Sequence, residues 1–220
     1  MIFGKGTIMK GCFDFGHPQI ISYIIEKALI SYEKALGNQN IENKSNMSSQ
    51  LNWGRAYIRT HGRSLIPMGV YQFSKDTHFI QVELEEEKVL CEFVFLLSHA
   101  KLIEEDIDPL INNAFMDGAR QYISRQMLPS LYKIRFGEAL NSVSPCFGPG
   151  LFSMDISQIT EYYHYLNVSS DLAILKGEML TPLSSFIGVM YGLEKPFTTS
   201  ACKSCKSQTN CQFCMIHHEK

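Results

Sequence analysis

The pattern of hydrophobic and polar residues predicts an amphipathic helix near the start of the chain. From Pro18 to Leu36, apolar residues recur every three or four positions with charged residues between them, and Gly37 follows where the helix would end. The next stretch, Asn38 to Gln50, is rich in Asn and Ser and almost without apolar residues, so we expect a loop or internal linker there. The segment from Arg55 to Leu65 favours neither helix nor strand.

Two further helices are predicted in the second half of the chain. A long amphipathic pattern starts at Asp108, which is placed to cap the first turn, continues through Pro109 at the first helical position and reaches Leu128. We expect Pro129 to end this helix, because a proline removes a backbone hydrogen bond from a helix interior. A capping-box pattern over residues 155–158 predicts the start of a shorter helix.

Extended segments lie between these helices without a regular strand–helix–strand repeat. Two apolar runs, His78 to Leu84 and Val89 to Leu97, flank an acidic turn and predict neighbouring strands. Two shorter β-type runs follow later, Leu172 to Leu175 and Phe186 to Tyr191. This order of elements favours an α+β fold with a mostly antiparallel, twisted sheet and flanking helices.

Length and charge restrict the classes of partner. The chain has 220 residues, enough for one main domain, and its formal net charge of -2 gives no electrostatic footprint for nucleic acid or an anionic membrane. The N-terminal stretch lacks the apolar run of a secretory signal, and no segment reaches the roughly 20 apolar residues of a membrane-spanning helix. We therefore expect a cytoplasmic protein, in which thiols stay reduced.

The end of the chain carries the strongest chemical signal. Four cysteines in the spacing C-x2-C-x5-C-x2-C form two hooks that can wrap four thiolates around one metal centre: Cys202, Cys205, Cys211 and Cys214. Zinc and an iron–sulfur cluster both accept four thiolates, so the spacing alone leaves the metal open. We expect a metal-binding tail over residues 199–220 after a main domain over residues 1–198. Cys91, by contrast, lies in an apolar run and is interpreted as a buried core residue.

A loop rich in proline and glycine precedes the predicted helix at residue 155. The segment Ser144-Pro-Cys-Phe-Gly-Pro-Gly150 has a constrained backbone that can let a ligand approach closely, although a tight connection between elements uses the same residue types. After the helix and a short strand, Pro182-x-x-Ser185-x-x-Gly188 leads into the last strand. Upstream, an apolar strand precedes a long helix that contains Asp117-Gly-Ala119. In this order, residues from Lys88 to Leu193 resemble the reactivation (activation) domain of cobalamin-dependent methionine synthase.

The resemblance implies S-adenosylmethionine as a cofactor and a cobalamin-carrying corrinoid protein as a partner. In that family an Arg-x-Ser/Ala-Pro-Gly-Tyr loop lies against S-adenosylmethionine, and its arginine contacts the carboxylate end of the cofactor. This chain has Ser142 at the arginine position and Cys146 at the glycine position. The cofactor-binding residues that the resemblance implies are therefore Ser144, Pro145, Phe147 in place of the tyrosine, and Gly148.

Two functions follow as hypotheses. The first is an accessory protein in corrinoid-dependent methyl transfer, which reactivates an oxidised corrinoid protein or corrinoid methyltransferase with S-adenosylmethionine and an electron supply. Its need for low-potential electrons favours an iron–sulfur cluster in the tail. The second is a non-enzymatic binding module of the same fold, in which a structural zinc tail docks to a corrinoid protein. The sequence carries no nucleophile elbow, Walker loop or zinc-protease motif, which removes support for the usual hydrolase and nucleotide-binding classes.

Overall fold

A computed structural model describes residues 8–37, 44–79, 88–99, 108–149 and 154–196 of the chain. Its elements, in chain order, are β1 (Met9–Cys12), α1 (Pro18–Gly37), α2 (Lys44–His61), β2 (Met68–Ser74), β3 (Val89–Ser98), α3 (Pro109–Tyr122), α4 (Leu128–Phe136), β4 (Ser142–Val143), α5 (Ile159–Leu166), β5 (Ile174–Lys176), β6 (Met179–Thr181) and β7 (Phe186–Leu193). A π-helical turn, Ile123–Met127, joins α3 to α4, and a 3-10 turn, Ile156–Gln158, precedes α5. The predicted boundary at residue 198 and the cysteine tail lie outside the described residues.

The strands form an antiparallel sheet that confirms the predicted α+β class. Five strands pair in the order β1-β2-β3-β7-β4, all antiparallel, and β5 pairs with β6 in a separate two-stranded ribbon. Within β3, Phe93 and Phe95 belong to the hydrophobic cluster on one face of the sheet, whereas Val94 and Leu96 belong to the cluster on the other. Since side chains alternate along a strand, this double burial explains why the run is apolar throughout.

Helices cover both faces of the sheet. Helices α1 and α3 pack against each other and against the face that carries Phe93, while α5 covers the opposite face with the β5–β6 ribbon. Helices α1 and α3 approach closely at Gly118, where a Cβ atom would lie 2.7 Å from the carbonyl oxygen of Ile24. A glycine at this position therefore sets the distance between the two helices. No helix within the described ranges is long and apolar enough to cross a membrane.

Helix α2 corrects the prediction of a loop from Asn38 to Gln50, because it begins at Lys44. Its contact with the core is narrow: Ile58 is fully buried, and the hydroxyl of Tyr32 in α1 donates a 3.0 Å hydrogen bond to the carbonyl of Gln50. The apolar stripe of α2, which includes Met47, Leu51 and Ile58, recurs at helical spacing but is sparse in an otherwise polar segment. Tertiary packing thus overrides the polar composition of the segment.

The strand predictions were correct where apolar runs were long. The predicted strands at Val89–Leu97 and Phe186–Tyr191 are confirmed as β3 and β7, and the run from Leu172 yields β5, which starts at Ile174. The sequence did not reveal β2, the other neighbour of β3, since polar residues such as Gln72 interrupt its apolar pattern. His78 and Phe79 lie in a bend, and the rest of the strand predicted from His78 to Leu84 falls outside the described residues.

The long helix starts as predicted but continues past Pro129. Asp108 accepts a 2.8 Å hydrogen bond from the amide of Leu110, which confirms it as the N-cap. At Pro129 the helix widens instead of ending. The turn before it is π-helical, since the amide of Leu128 donates a hydrogen bond to the carbonyl of Ile123, five residues earlier. Since a proline offers no amide to the carbonyl four residues earlier, a wider turn allows the helix to pass it. Helix α4 then ends at Gly137, which adopts a left-handed conformation.

Candidate functional site

A groove of about 610 Å³ lies between the long helix and the outer strand of the sheet. Four residues around the π-helical turn form one wall: Gln121, Ser124, Arg125 and Pro129. The other wall comes from the segment that enters the predicted cofactor loop, together with one residue after β7: Leu140, Asn141, Ser142, Val143, Ser144, Pro145 and Pro196. The volume falls within the range of roughly 300–1,000 Å³ typical of small-molecule sites.

The π-helical turn shapes the helical wall. It contains both Ser124 and Arg125, and Pro129 lines the groove directly after it. A single wide turn rotates the side chains that follow it relative to an uninterrupted α-helix, and such turns occur frequently at functional sites. The local sequence therefore shapes the helix where it borders the groove.

Arg125 is the one charged side chain among the described residues that line the groove. It is exposed, and it makes no hydrogen bond or ion pair with any other residue that the structure describes. The neighbouring polar groups are engaged: Gln121 donates a 2.9 Å hydrogen bond to Asp117, and Asn141 donates a 3.0 Å bond to the carbonyl of Glu194. A planar guanidinium that is available for binding suits a carboxylate or phosphate, with which it can form two parallel hydrogen bonds.

Strand β4 contributes an open sheet edge to the second wall. It is the outer strand of the sheet, and Val143 faces Gly192 in β7. The amide of the next residue, Ser144, points into the sheet and donates to the carbonyl of Tyr191 over 2.9 Å. Since successive residues of an antiparallel pair alternate in direction, the amide and carbonyl of Val143 point away from β7. They add a donor and an acceptor at the edge of the sheet that borders the groove.

The structure divides the four predicted cofactor residues into two pairs. Ser144 and Pro145 line the groove, but Phe147 and Gly148 pack against β7 on the other side of the loop. Phe147 is fully buried, pairs its backbone with Val189 and belongs to the hydrophobic cluster that α5 covers. At Gly148 a Cβ atom would lie 2.7 Å from the carbonyl oxygen of Ile187, so this glycine permits the close approach to β7.

The Ser144 hydroxyl serves mainly to attach the loop to the sheet. It accepts a 2.9 Å hydrogen bond from the amide of Tyr191 and donates over 2.8 Å to the carbonyl of Pro145. Burial raises the pKa of the neighbouring Cys146 thiol to about 12, so it stays protonated and is no nucleophile. Ser142 differs from both, because its hydroxyl has no hydrogen-bond partner among the described residues and lines the groove.

The groove residues include groups that are chemically suited to the amino-acid end of S-adenosylmethionine, and they differ from the residues that the resemblance implied. The amino-acid end of that molecule carries a carboxylate, for which Arg125 is a partner, and its α-ammonium group can donate to a carbonyl such as that of Val143. Apolar surface for the rest of the ligand comes from Leu140 and Pro129. Sequence reasoning did not identify Arg125 as a site residue, because its position relative to the loop depends on how helix and sheet pack together.

A second group of buried polar residues lies on β3, away from this groove. Glu92 is almost completely buried, and its carboxylate accepts hydrogen bonds from the amides of His78 and Phe79 over 2.9 and 2.8 Å. The ring nitrogen Nδ1 of His78 lies 3.2 Å from the same carboxylate and 3.1 Å from the hydroxyl of Tyr165. These contacts join the bend at residues 78–79 to the sheet, so we assign the group to the fold.

The predicted metal site falls outside the described residues, as Cys202, Cys205, Cys211 and Cys214 all do. Within the described ranges, no group of three or more His, Cys, Asp or Glu side chains is arranged to hold a metal ion. The metal prediction therefore rests on the cysteine spacing alone.

Comparison with known proteins identified no relative from which a function could be proposed, so the proposal below is based mainly on the groove. No protein-family model matches the sequence, and no curated protein is significantly similar to it.

Proposed function

We propose that this chain is an accessory protein in corrinoid-dependent methyl transfer, which reactivates an oxidised corrinoid protein with S-adenosylmethionine and an external electron supply. One observation carries the proposal: the groove of about 610 Å³ forms at the loop that resembles the cofactor loop of the methionine synthase reactivation domain. Ser144 and Pro145 of that loop line it, and its walls offer a cation and polar backbone groups to a ligand. The antiparallel α+β fold agrees with the class that the order of helices and strands predicted.

The chemistry requires binding and orientation more than acid–base catalysis. One electron from a low-potential donor converts cobalt(II) to cobalt(I), whose electron pair then takes the methyl group from the sulfonium as the sulfur–carbon bond breaks, leaving methylcobalt(III) and S-adenosylhomocysteine. The protein would bind the methyl donor in the groove and leave the reacting sulfonium accessible to the corrinoid protein. Because binding and orientation need no acid–base group, this function is compatible with a groove whose described lining holds no carboxylate, histidine or thiol.

The cysteine tail has a place in the same proposal. Cys202, Cys205, Cys211 and Cys214 would hold an iron–sulfur cluster that passes the electron to cobalt. A cytoplasmic location follows for a protein with this function, since reduced thiols and a low-potential donor both need a reducing compartment.

A second candidate function is a non-enzymatic binding module of the same fold, with structural zinc in the tail. It is favoured by the way the loop is held: the Ser144 hydroxyl, the Phe147 ring and Gly148 all serve contacts with β7. Such a loop can persist in a protein that no longer uses a cofactor. This module would dock to a corrinoid protein without transferring a methyl group.

The two candidates differ in a reductive methylation assay. Protein purified without oxygen is incubated with cob(II)alamin, titanium(III) citrate and S-adenosylmethionine, and methylcob(III)alamin is followed by its visible absorption. We expect methylcob(III)alamin and S-adenosylhomocysteine to form in equal amounts, faster than in the protein-free mixture, and the sample to contain iron and sulfide. A rate equal to that of the protein-free mixture would contradict methyl transfer, and a colourless zinc-loaded sample would then support the binding module.

A further inference from the structure

We infer that Arg125 is the residue that binds the carboxylate of the ligand, in place of the arginine that Ser142 replaces in the loop. This inference rests on the proposed function, because it names the contact by which the groove would select an amino-acid-containing methyl donor. In this chain the positive charge that binds the carboxylate would lie on the helix, whereas in the family it lies on the loop of the opposite wall. The loop and the helix are adjacent only in the folded protein, which is why the sequence alone did not suggest the exchange.

The charge balance of the groove supports this assignment. Among the described lining residues, the guanidinium of Arg125 is the only formal charge, and no carboxylate in the described lining competes with a bound anion. The nearby carboxylate of Asp117 is already occupied, since it accepts hydrogen bonds from Ser31 of α1 and from Gln121, and it forms an ion pair with Arg120 at 3.4 Å. The carboxylate of an amino-acid ligand would therefore meet the guanidinium of Arg125, with no carboxylate among the described lining residues to compete for it.

The helix geometry provides a reason why this particular arginine faces the groove. Arg125 lies within the π-helical turn, four residues before Pro129. In a regular α-helix its carbonyl would accept from the amide of residue 129, and proline has none. The wide turn that results brings Ser124 and Arg125 together onto the groove wall. The same proline then lines the groove beside them, so one local feature builds this part of the site.

The opposite wall offers complementary partners for the rest of an amino-acid group. The amide and carbonyl of Val143 point away from β7, and the hydroxyl of Ser142 has no partner among the described residues. A carboxylate bound to Arg125 would have these groups across the groove. A phosphate could also bind a guanidinium, but it would leave the carbonyl of Val143 without a donor, so the observations favour an α-amino acid.

A binding experiment with two ligands tests the inference. S-adenosylmethionine and 5′-methylthioadenosine share the nucleoside and the sulfur, but the second lacks the amino-acid end. Titration calorimetry would compare the wild-type chain with Arg125→Met, which keeps the aliphatic stem, and Arg125→Lys, which keeps the charge. Arg63→Ala serves as the control, because Arg63 is an exposed cation that is not part of the groove lining.

We expect Arg125→Met to weaken S-adenosylmethionine binding about tenfold or more, as the loss of a charged hydrogen-bonded pair would do. Arg125→Lys should bind with intermediate affinity, since an ammonium retains the charge but not the two-pronged geometry. Binding of 5′-methylthioadenosine should change less than about twofold in either variant. Unchanged S-adenosylmethionine affinity in Arg125→Met, or an equal loss of affinity for both ligands, would overturn the role of Arg125 but leave the proposed function standing. Failure of the wild-type chain to bind S-adenosylmethionine would overturn the proposed function as well.

Discussion

Glu92 shows how a buried carboxylate can fix an irregular segment to the sheet. It lies in the middle of the apolar strand β3, and it accepts hydrogen bonds from the amides of His78 and Phe79. Burial raises the pKa of Glu92 above its ordinary value, against the lowering effects of these amides and of His78. The carboxylate therefore holds the bend, but at a cost that depends on pH.

The burial of Glu92 should make the free energy of unfolding depend on pH. The variant Glu92→Gln should lose this pH dependence, because glutamine does not titrate. Because the pKa of Glu92 is raised in the folded protein, the folded state keeps this proton to higher pH than the unfolded chain does. The free energy of unfolding should therefore fall as pH rises from the ordinary glutamate value through the raised pKa. Urea unfolding from about pH 4 to pH 8 would measure the difference between wild type and variant.

The glutamine variant should carry a further loss of stability of about 1 kcal/mol, because its amide nitrogen replaces the oxygen that faces Nδ1 of His78. Its remaining oxygen can still accept both backbone hydrogen bonds, which share one carboxylate oxygen in the wild type. The titratable groups in contact with the site, His78 and Tyr165, remain in both proteins, so the comparison reports the titration of Glu92 together with its coupling to His78. Glu161→Gln, on the exposed side of α5, provides the matched control. Parallel stability curves for wild type and Glu92→Gln would rule out a raised pKa at this position.

Individual residues could be predicted from the sequence when their environment was set by their neighbours in the chain. Cys91 lies in a long apolar run and is fully buried, as expected. Phe147 and Gly148 lie in a loop whose residue types suit either a ligand or a tight connection, and in the structure they face β7. Which side of a loop meets the sheet depends on the pairing partner, and that information is distant in sequence.

At the level of elements, the contact between α1 and α3 depends on the small side chain at Gly118. These helices carry much of the core on their face of the sheet, and the Cα of Gly118 lies close to the backbone of Ile24. Asp117 strengthens the same contact by accepting a hydrogen bond from Ser31. Residues 117–119, which contribute to the family resemblance, therefore serve helix packing in this chain.

Gly118→Ala should destabilise the protein although alanine favours helices. The added Cβ would lie 2.7 Å from the Ile24 carbonyl oxygen, so the helices must move apart, at a cost of about 1–3 kcal/mol. Gly37→Ala is the matched control, because its Cβ would have its nearest neighbour at 4.0 Å at the exposed end of α1. We expect this control to be neutral or slightly stabilising. Thermal unfolding of both variants checks the prediction, and equal melting temperatures would contradict the close helix contact.

Elements were predictable from sequence to the extent that their own apolar residues produced a clear period. Helices α1 and α3 and strands β3 and β7 satisfy this condition because they pack into the core along their length. Helix α2 carries only a sparse apolar stripe in a polar segment, and in strand β2 the polar Gln72 interrupts the apolar pattern although the strand pairs with β3 along its length. The π-helical turn before Pro129 was also unpredictable, because the sequence signal for a helix end and for a widened turn is the same proline.

At the level of the whole described molecule, one antiparallel sheet has both faces covered and leaves an outer strand, β4, beside the long helix. The groove forms at that edge, where a helix wall with an unpaired cation meets a strand wall with polar backbone groups. The sequence predicted the fold class and the loop, but the groove is a product of tertiary structure. Its proposed ligand is the central claim about this protein.

Calorimetric titration of the full chain with S-adenosylmethionine tests that claim most directly. We predict saturable binding at a single site for the wild type. Ser142→Trp should abolish it, because an indole at this lining position would fill the groove, whereas Ser170→Trp, in an exposed turn elsewhere, should bind like the wild type. No saturable binding at millimolar ligand, or equal binding by Ser142→Trp and the wild type, would contradict the assignment of the groove as the S-adenosylmethionine site.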